Sequence, residues 1–358
     1  MAEDLASLHG PVGLQWTDLE ADGLDDLYSL MTAIWYFEEP TERYSPEELR
    51  ELVEGIDHTQ GRRIVVGRKG DSTVAWAMNW AQSDDVAPRR MRLSGGVHPA
   101  FRHRGIGRRM LAWQVEWARH WYVASHRPGH GDLLVLSNIE ERQANQSELV
   151  EAAGFAPLRW YLDMHCSLAD LDEPLSRLSE YEERLARDGL RVLPFDPMFT
   201  ESTRQAHNEA FSDYYGTQPI GPEMWAEQMA NVVARPQWSW LAVDNADQVV
   251  GYALNVAYTA TWEGDFTEGW TDRLGVRKGW RGRGIARALL LRSLQTFRSE
   301  GLAGGGLGVD SESGTGAVEL YRSIGYQSTD TIVMYGLTET HDAALRAMET
   351  GGKVTFSG

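Results

Sequence analysis

The chain has one cysteine, three lysines and no long apolar run. Cys166 alone cannot close an internal disulfide, and a single thiol without neighbouring ligands is no metal site, so redox chemistry and structural zinc are both set aside. No stretch approaches the roughly 20 apolar residues that a membrane-crossing helix needs. The first ten residues, MAEDLASLHG, are acidic where a secretory signal is basic and then greasy. The expectation is a cytoplasmic protein with no membrane partner. Positive charge is also scarce: 34 Lys and Arg stand against 52 Asp and Glu, for a formal net charge of −18. That balance argues against nucleic-acid binding, whose affinity rests on phosphate contacts made by a basic face, and it would suit a cationic small molecule. Apolar residues, at 42% of 358, are plentiful enough to fill two cores, and a single core rarely grows past about 250–300 residues.

The two cores are written as a repeat. Residues 96–111 read GVHPAFRHRGIGRRML and residues 275–290 read GVRKGWRGRGIARALL. Without a gap, Gly-Val falls on Gly-Val, Arg102 on Arg281, Arg104-Gly105-Ile106 on Arg283-Gly284-Ile285, and Leu111 on Leu290, at an offset of 275 − 96 = 179 residues. Downstream, SELVEAAGF ending at Phe155 matches VELYRSIGY ending at Tyr326 at an offset of 325 − 154 = 171. The difference of eight residues falls in one loop, where duplicated domains tolerate change best.

Hydrophobic period and turn-formers place two helices at 23–34 and 46–56 and strands at 63–67 and 73–80 upstream of the first motif. Their counterparts are helices at 201–212 and 222–233 and strands at 238–243 and 249–258. Each half then reads β-α-α-β-β-β-α-β-α-β, an α+β pattern with a mixed central sheet flanked by helices. The expected division is an N-terminal domain at 1–167, a charged, solvated helical linker at 168–189, and a C-terminal domain at 190–358.

The repeated motif is a strand end, a glycine-arginine turn and a helix start. Glycines there allow close backbone approach, and unpaired N–H groups at a helix start converge on one point, which is how proteins hold phosphate oxygens. Arg277, Lys278, Arg281, Arg283 and Arg287 put five cations into eleven residues of an acidic chain. A dinucleotide fingerprint is disfavoured, because its glycines follow the first strand of a βαβ unit and these follow the fourth strand of each half.

Arg102-His103-Arg104-Gly105-Ile106-Gly107 and Arg281-Gly282-Arg283-Gly284-Ile285-Ala286, each after a valine-ended strand, resemble the acetyl-CoA pyrophosphate loop of the GNAT superfamily of N-acetyltransferases. Leu320-Tyr321-Arg322-Ser323-Ile324-Gly325-Tyr326 resembles the family's LYxxxGF segment. The resemblance covers nearly the whole chain as two tandem GNAT (acyl-CoA N-acyltransferase) domains. Through His207–Phe211 and Phe155 with the strand after it, it is similar to the mycothiol synthase group of actinobacterial acetyltransferases. It implies acetyl-CoA as cofactor, with Leu274 and Val276 along the pantetheine arm and Arg281, Gly282, Arg283, Gly284, Ala286 and Arg287 around the pyrophosphate. Val97, Arg102, Arg104, Gly105 and Gly107 are the matching set in the first half. Tyr321 falls where the family keeps the acid for the leaving thiolate.

The halves differ in what would do chemistry. Val150 stands at the position of Tyr321 and cannot give a proton. Strand alternation puts Glu268, Trp270, Asp272 and Leu274 on the face of Val276, so Glu268 or Asp272 could serve as base, with Glu268 the first choice; residues 89–94, RRMRLS, hold no carboxylate. The family's frequent Asn before the last helix is absent, since Gly314 stands there. The expected activity is transfer of acetyl to a primary amine of a small molecule by the second half, the first being degenerate; the acidic chain suits a cationic amine. A non-catalytic acyl-CoA sensor and a protein or peptide N-acetyltransferase are the alternatives. Trp35-Tyr36-Phe37 and Phe211, Tyr214, Tyr215 and Trp225 are the aromatics nearest the expected acceptor side. Oligomeric state, monomer or dimer, is left open.

Overall fold

The computed structural model describes residues 4–10, 12–54, 61–81, 88–127, 129–212, 219–262, 264, 266–314, 316–350 and 354–356. Two compact units divide the chain: one holds residues 1–42, 46–160 and 331–358, the other 43–45 and 161–330.

In the first unit the strands are β1 (Gln15–Asp18), β2 (Arg62–Lys69), β3 (Ser72–Ala81), β4 (Arg89–Val97) and β5 (Leu133–Glu140). They pair in that order, antiparallel throughout except for β4 with β5. Helices α1 (Leu24–Glu38) and α2 (Pro46–Glu54) precede β2, α3 (Ile106–Ser125) joins β4 to β5, and α4 (Ala144–Ala152) follows β5. After these comes β6 (Ala156–Ser167), which leaves its own copy.

From Tyr161 onward β6 runs antiparallel to β11 (Gly304–Asp310) in the second unit. That unit continues β10 (Glu268–Val276), β9 (Val249–Val256), β8 (Trp240–Val243) and β7 (Arg191–Pro194), with β10 and β11 its parallel pair. Its helices are α5 (Asp172–Ser176), α6 (Leu178–Arg187), α7 (Thr200–Ala210), α8 (Pro222–Ala230), α9 (Ile285–Ser299) and α10 (Ala317–Arg322). The exchange is reciprocal: β12 (Gln327–Glu339) pairs from Ile332 with β5 of the first unit, and α11 (His341–Glu349) follows it. Arg119 on α3 fastens β12 with two bonds to Glu339, of 2.8 and 2.5 Å, and Tyr335 donates to Glu151 at 3.0 Å. The order of elements in each copy is the one its sequence predicts, but the expected boundaries at 167 and 190 are corrected. Each copy's last strand completes the other unit's sheet.

The expected linker at 168–189 is also corrected. Leu168, Leu171, Leu175 and Leu178 are buried with Leu291 and Leu294 of α9, and Leu185 and Leu190 are buried with Ala288 and Leu289. From Leu171 through Leu175 and Leu178 to Leu185 the spacing of four, three and seven is a helical period carried through α5 and α6, and the charges lie on the other faces. Covering a helix this way stabilises by about 1.5–3 kcal/mol per fully buried leucine.

Helix α9 is the spine of the second unit. It begins after Gly284, which takes a left-handed φ of 87° as N-cap. It ends in a paired cap: the Gly301 N–H donates to the Arg298 carbonyl and the Leu302 N–H to the Phe297 carbonyl, with Gly301 at φ 79°. Its inner face, Ile285, Ala288, Leu289 and Phe297, packs at 0–1% exposure. Gly269 on β10 is required there, since a Cβ would lie 2.4 Å from the Phe297 ring. Among the described residues no helix is long and apolar enough to cross a membrane.

Candidate active site

In both units the parallel pair of strands comes apart halfway. β10 and β11 pair from Glu268↔Gly304 to Trp270↔Gly306, and β10 then runs on to Val276. β4 and β5 pair from Arg89↔Leu133 to Arg92↔Leu136, and β4 runs on to Val97. Past the last pair, the strand edge offers backbone groups that no neighbouring strand takes up, and a cavity opens beside it in each unit.

The cavity of the second unit has about 330 Å³ and is lined by Leu274, Gly275 and Val276, by the turn and first residues of α9, and by Gly316, Ala317, Leu320 and Tyr321. Of the residues singled out in the sequence it brings together Leu274, Val276, Arg281, Gly282, Gly284, Ala286, Arg287 and Tyr321. Arg283 is not in the lining; its guanidinium stacks 4.7 Å from the Trp280 ring. Gly282 and Gly284 both sit at positive φ, 77° and 87°, so the turn aims the first N–H groups of α9 at the cavity's end. Such an N-terminus carries about half a positive charge and suits phosphate oxygens.

The arginines of the turn also make structural bonds. Arg281 donates from Nε to the Val276 carbonyl at 3.2 Å and from Nη2 to the Ala210 carbonyl at 2.7 Å. Arg277 is tied to Glu209 and to the Val249 carbonyl, each at 2.7 Å, and Arg287 to Ser323 Oγ at 2.6 Å. Arg281 and Arg277 brace the strand end against α7 and β9, and Arg281 and Arg287 line the cavity beside the first residues of α9.

The first unit repeats this geometry. Its cavity, about 620 Å³, is lined among others by Val97, Arg102, Gly105, Gly107 and Val150; Arg104 is outside the lining and donates to the Ala100 carbonyl at 3.1 Å. Arg102 braces Val97 at 3.1 Å, as Arg281 braces Val276, and pairs with Glu38 at 2.7 Å. Where the second turn has Gly282, the first has His103, held at φ 57°. A non-glycine residue there costs roughly 1 kcal/mol, which the first unit meets to keep the turn.

The two candidate bases are separated by a bulge. The β9–β10 register slips between Thr271 and Arg273, with Asp272 as the extra residue. Before the bulge, Glu268 and Trp270 face away from α9; after it, Leu274 and Val276 face toward α9, where they pack with Ile285 and Leu289. The expectation of one continuous face from Glu268 to Val276 is therefore corrected: alternation reverses at the bulge. Asp272 is exposed, pairs with Arg273 at 3.2 Å and accepts from Tyr258 at 3.4 Å. Glu268 is 7% exposed, with Nδ1 of His165 on β6 only 2.7 Å from its Oε1. Neither carboxylate lines the cavity that holds Tyr321. Trp270 lies beside Glu268, and both need glycine on β11, because a Cβ at Gly306 would meet the Trp270 ring at 2.3 Å and Glu268 Oε2 at 2.8 Å.

His165 was missed in the sequence. Its only signal is that Glu268 requires a partner when buried; nothing local to residue 165 reveals that β6 crosses to the second unit. On the α7 side, His207 is buried with its Nδ1 2.7 Å from the Tyr252 hydroxyl and its ring stacked on Phe211. Burial, with the charge of Arg273, holds its pKa down at about 4. Trp225 is fully buried core, Tyr36 and Phe37 are exposed, and Tyr214 and Tyr215 lie outside the described residues.

Two copies of this loop, each at a separating parallel pair, are matched by the acetyltransferase (GNAT) family at residues 24–128 and 200–326. The chain belongs to that family. It is an N-acetyltransferase with tandem GNAT units, and the family uses acetyl-CoA. It is 30% identical over 250 residues to the mycothiol acetyltransferase of Thermobispora bispora, covering 67% of this chain and 73% of that one. To the mycothiol acetyltransferase of Thermobifida fusca it is 29% identical over 269 residues, covering 67% and 72%. A GCN5-related N-acetyltransferase from Sphaerobacter thermophilus superposes with a TM-score of 0.68 at 25% identity, covering 91% of this chain and 95% of that one. A tandem GNAT protein from the clavulanic acid biosynthesis pathway shares the fold, with a TM-score of 0.65 at 14% identity over 91% and 98%.

Proposed function

We propose that the second unit transfers acetyl from acetyl-CoA directly to a primary amine of a small molecule, with Tyr321 as general acid and Glu268 as general base. The observation that carries this reading is the cavity itself: Tyr321 shares it with the strand edge at Leu274–Val276 and with the start of α9. A volume of about 330 Å³, apolar along Leu274, Val276 and Ile285 and ending on unpaired amides, fits a pantetheine arm and its pyrophosphate.

The residues divide the chemistry. Glu268 takes a proton from the acceptor's ammonium, and the freed nitrogen pair forms the N–C bond. The backbone of β10 past Trp270 holds the thioester carbonyl. As the C–S bond breaks with its electrons on sulfur, Tyr321 gives its hydroxyl proton to the thiolate. The second proton on the nitrogen returns through water to Tyr321. The net products are amide, thiol and one proton released to solvent.

Asp163 on β6 opposite Gly308, with Glu268, Asp272 and the aromatic Trp270, supports a cationic acceptor, and the relatives named for mycothiol make mycothiol-type amines the first acceptors to try. The first unit keeps the loop but has Val150 for Tyr321 and Arg89 opposite Leu133 where the second has Glu268 opposite Gly304, which supports a unit without catalysis. The test is thiol release from acetyl-CoA across a panel of amines with Arg281→Glu and its structural counterpart Arg102→Glu. Loss of turnover in the first alone is expected. Equal loss in both would overturn the assignment to the second unit.

A further inference from the structure

The buried carboxylate of Glu268 has a partner that arrives on the exchanged strand. His165 lies on β6 opposite Gly306, and its Nδ1 is 2.7 Å from Glu268 Oε1. Its side chain keeps 28% exposure against 8% for that of Glu268, and its ring stands edge-on to Trp270 at 5.5 Å. Glycines 304 and 306 clear the space on β11 that the Glu268 carboxylate occupies: a Cβ would lie 3.2 Å from Oε1 at Gly304 and 2.8 Å from Oε2 at Gly306. Strand register gives the equivalents in the first unit. Leu337 stands opposite Val135 as His165 stands opposite Gly306, and Arg89 stands opposite Leu133 as Glu268 stands opposite Gly304. The pair is present in the unit that has Tyr321 and absent from the one that has Val150.

We propose that His165 is a positioning residue for acetyl transfer, fixing the Glu268 carboxylate and setting how readily it takes the proton of the acceptor amine. This rests on Glu268 being the base. A lone buried carboxylate is costly and free to turn; a bond to Nδ1 fixes its rotamer. Neutral His165 donates its Nδ1 hydrogen to Oε1 and leaves Oε2 to take the ammonium proton, which Glu268 then releases to water.

The arrangement sets a pH requirement. Burial alone would lower the His165 pKa, but the bond and charge of Glu268 on β10, with Asp163 on β6 and Asp330 at the start of β12, hold it above its ordinary 6.5. Below that pKa the imidazolium's charge beside Glu268 makes the carboxylate a weaker base. Turnover therefore rises with pH along a limb that belongs to His165.

The experiment is a set of kcat/KM–pH profiles with acetyl-CoA affinity measured alongside. Glu268→Gln tests the underlying reading: it should cut kcat by about 10²–10⁴ with affinity kept, and normal turnover in it would overturn the base and the pair together. With that loss in hand, His165→Leu, the residue type of the first unit, should cut kcat about 10²-fold with affinity again kept. His165→Asn, which keeps a donor near Nδ1 but cannot titrate, should recover at least tenfold of that loss and lack the acid limb. Turnover in His165→Leu within twofold of wild type, or an acid limb in His165→Asn at the wild-type pH, would overturn the pair while leaving Glu268 as base.

Discussion

Tyr321 and Val150 hold the same place in their units. The Tyr326 N–H donates to the Tyr321 carbonyl at 3.1 Å, and the Phe155 N–H makes the same 3.1 Å bond to the Val150 carbonyl. Both side chains are buried, at 8% and 5% exposure, so the difference between the units at this turn is one phenol. Tyr321→Phe keeps the ring and its packing, and should bind acetyl-CoA as wild type does while kcat falls by about 10²–10⁴. Thiol release at saturating substrate checks it; unchanged kcat would remove Tyr321 as the acid. Val150→Tyr should gain no activity, because Arg89 and Leu337 stand where Glu268 and His165 would be needed.

The two faces of the β10–β11 pair give different kinetic outcomes to the same small change. Gly269→Ala pushes a methyl to 2.4 Å from the fully buried Phe297 ring, away from Glu268. It should lower stability by about 1–3 kcal/mol with kcat/KM of the folded protein little changed. On β11, Gly306→Ala drives into Trp270 and Glu268 Oε2 and should cost turnover as well. Denaturant melts paired with kinetics separate the two, and equal kinetic losses would mean that Glu268 is not at the chemistry.

Much of this was legible in the sequence, and the misses share a cause. The GxG turns, the helix after each and Tyr321 against Val150 are local features, and the ungapped repeat fixes their equivalence. The bulge at Asp272 and the crossing of β6 depend on contacts between distant segments, which periodicity does not carry. Alternation through Thr271–Arg273 was the natural expectation and put Asp272 beside Leu274; one extra residue reversed it. In 168–189 the stripe of Leu171, Leu175, Leu178 and Leu185 was present, but dense charge on the other faces made the segment read as solvated.

That segment makes its own prediction. Leu185 is 1% exposed among Ala242, Ala288 and Leu289, so Leu185→Ala should cost about 2–5 kcal/mol, as core leucines do. A solvated linker would lose less than about 0.5 kcal/mol from the same change. Chemical denaturation measures the difference.

The exchanged strands predict how the chain can be cut. A fragment ending at Ser167 lacks β12 and leaves β5 an unpaired edge with Leu133 and Val135 exposed; its complement lacks β6 and exposes β11. Each alone should aggregate, as open apolar edges do, and the two co-expressed should co-purify, because each supplies the other's missing strand. A monomeric, cooperatively melting 1–167 fragment would contradict the exchange.

His207 gives stability a pH dependence separate from catalysis. It is 6% exposed and neutral, bonded to the Tyr252 hydroxyl, and burial, with the charge of Arg273, lowers its pKa from 6.5 to about 4. Above pH 6.5 neither folded nor unfolded chain protonates it, and its contribution is intact. As pH falls from 6.5 toward 4 the unfolded chain binds a proton that the folded one refuses, so stability is lost by roughly 3 kcal/mol in total. His207→Gln, which can still bond Tyr252 but does not titrate in this range, should reduce the fall in unfolding free energy between pH 7 and pH 4 by about that amount. An identical fall in the variant and the wild type would show that His207 is protonated inside the fold and that its burial does not govern its charge.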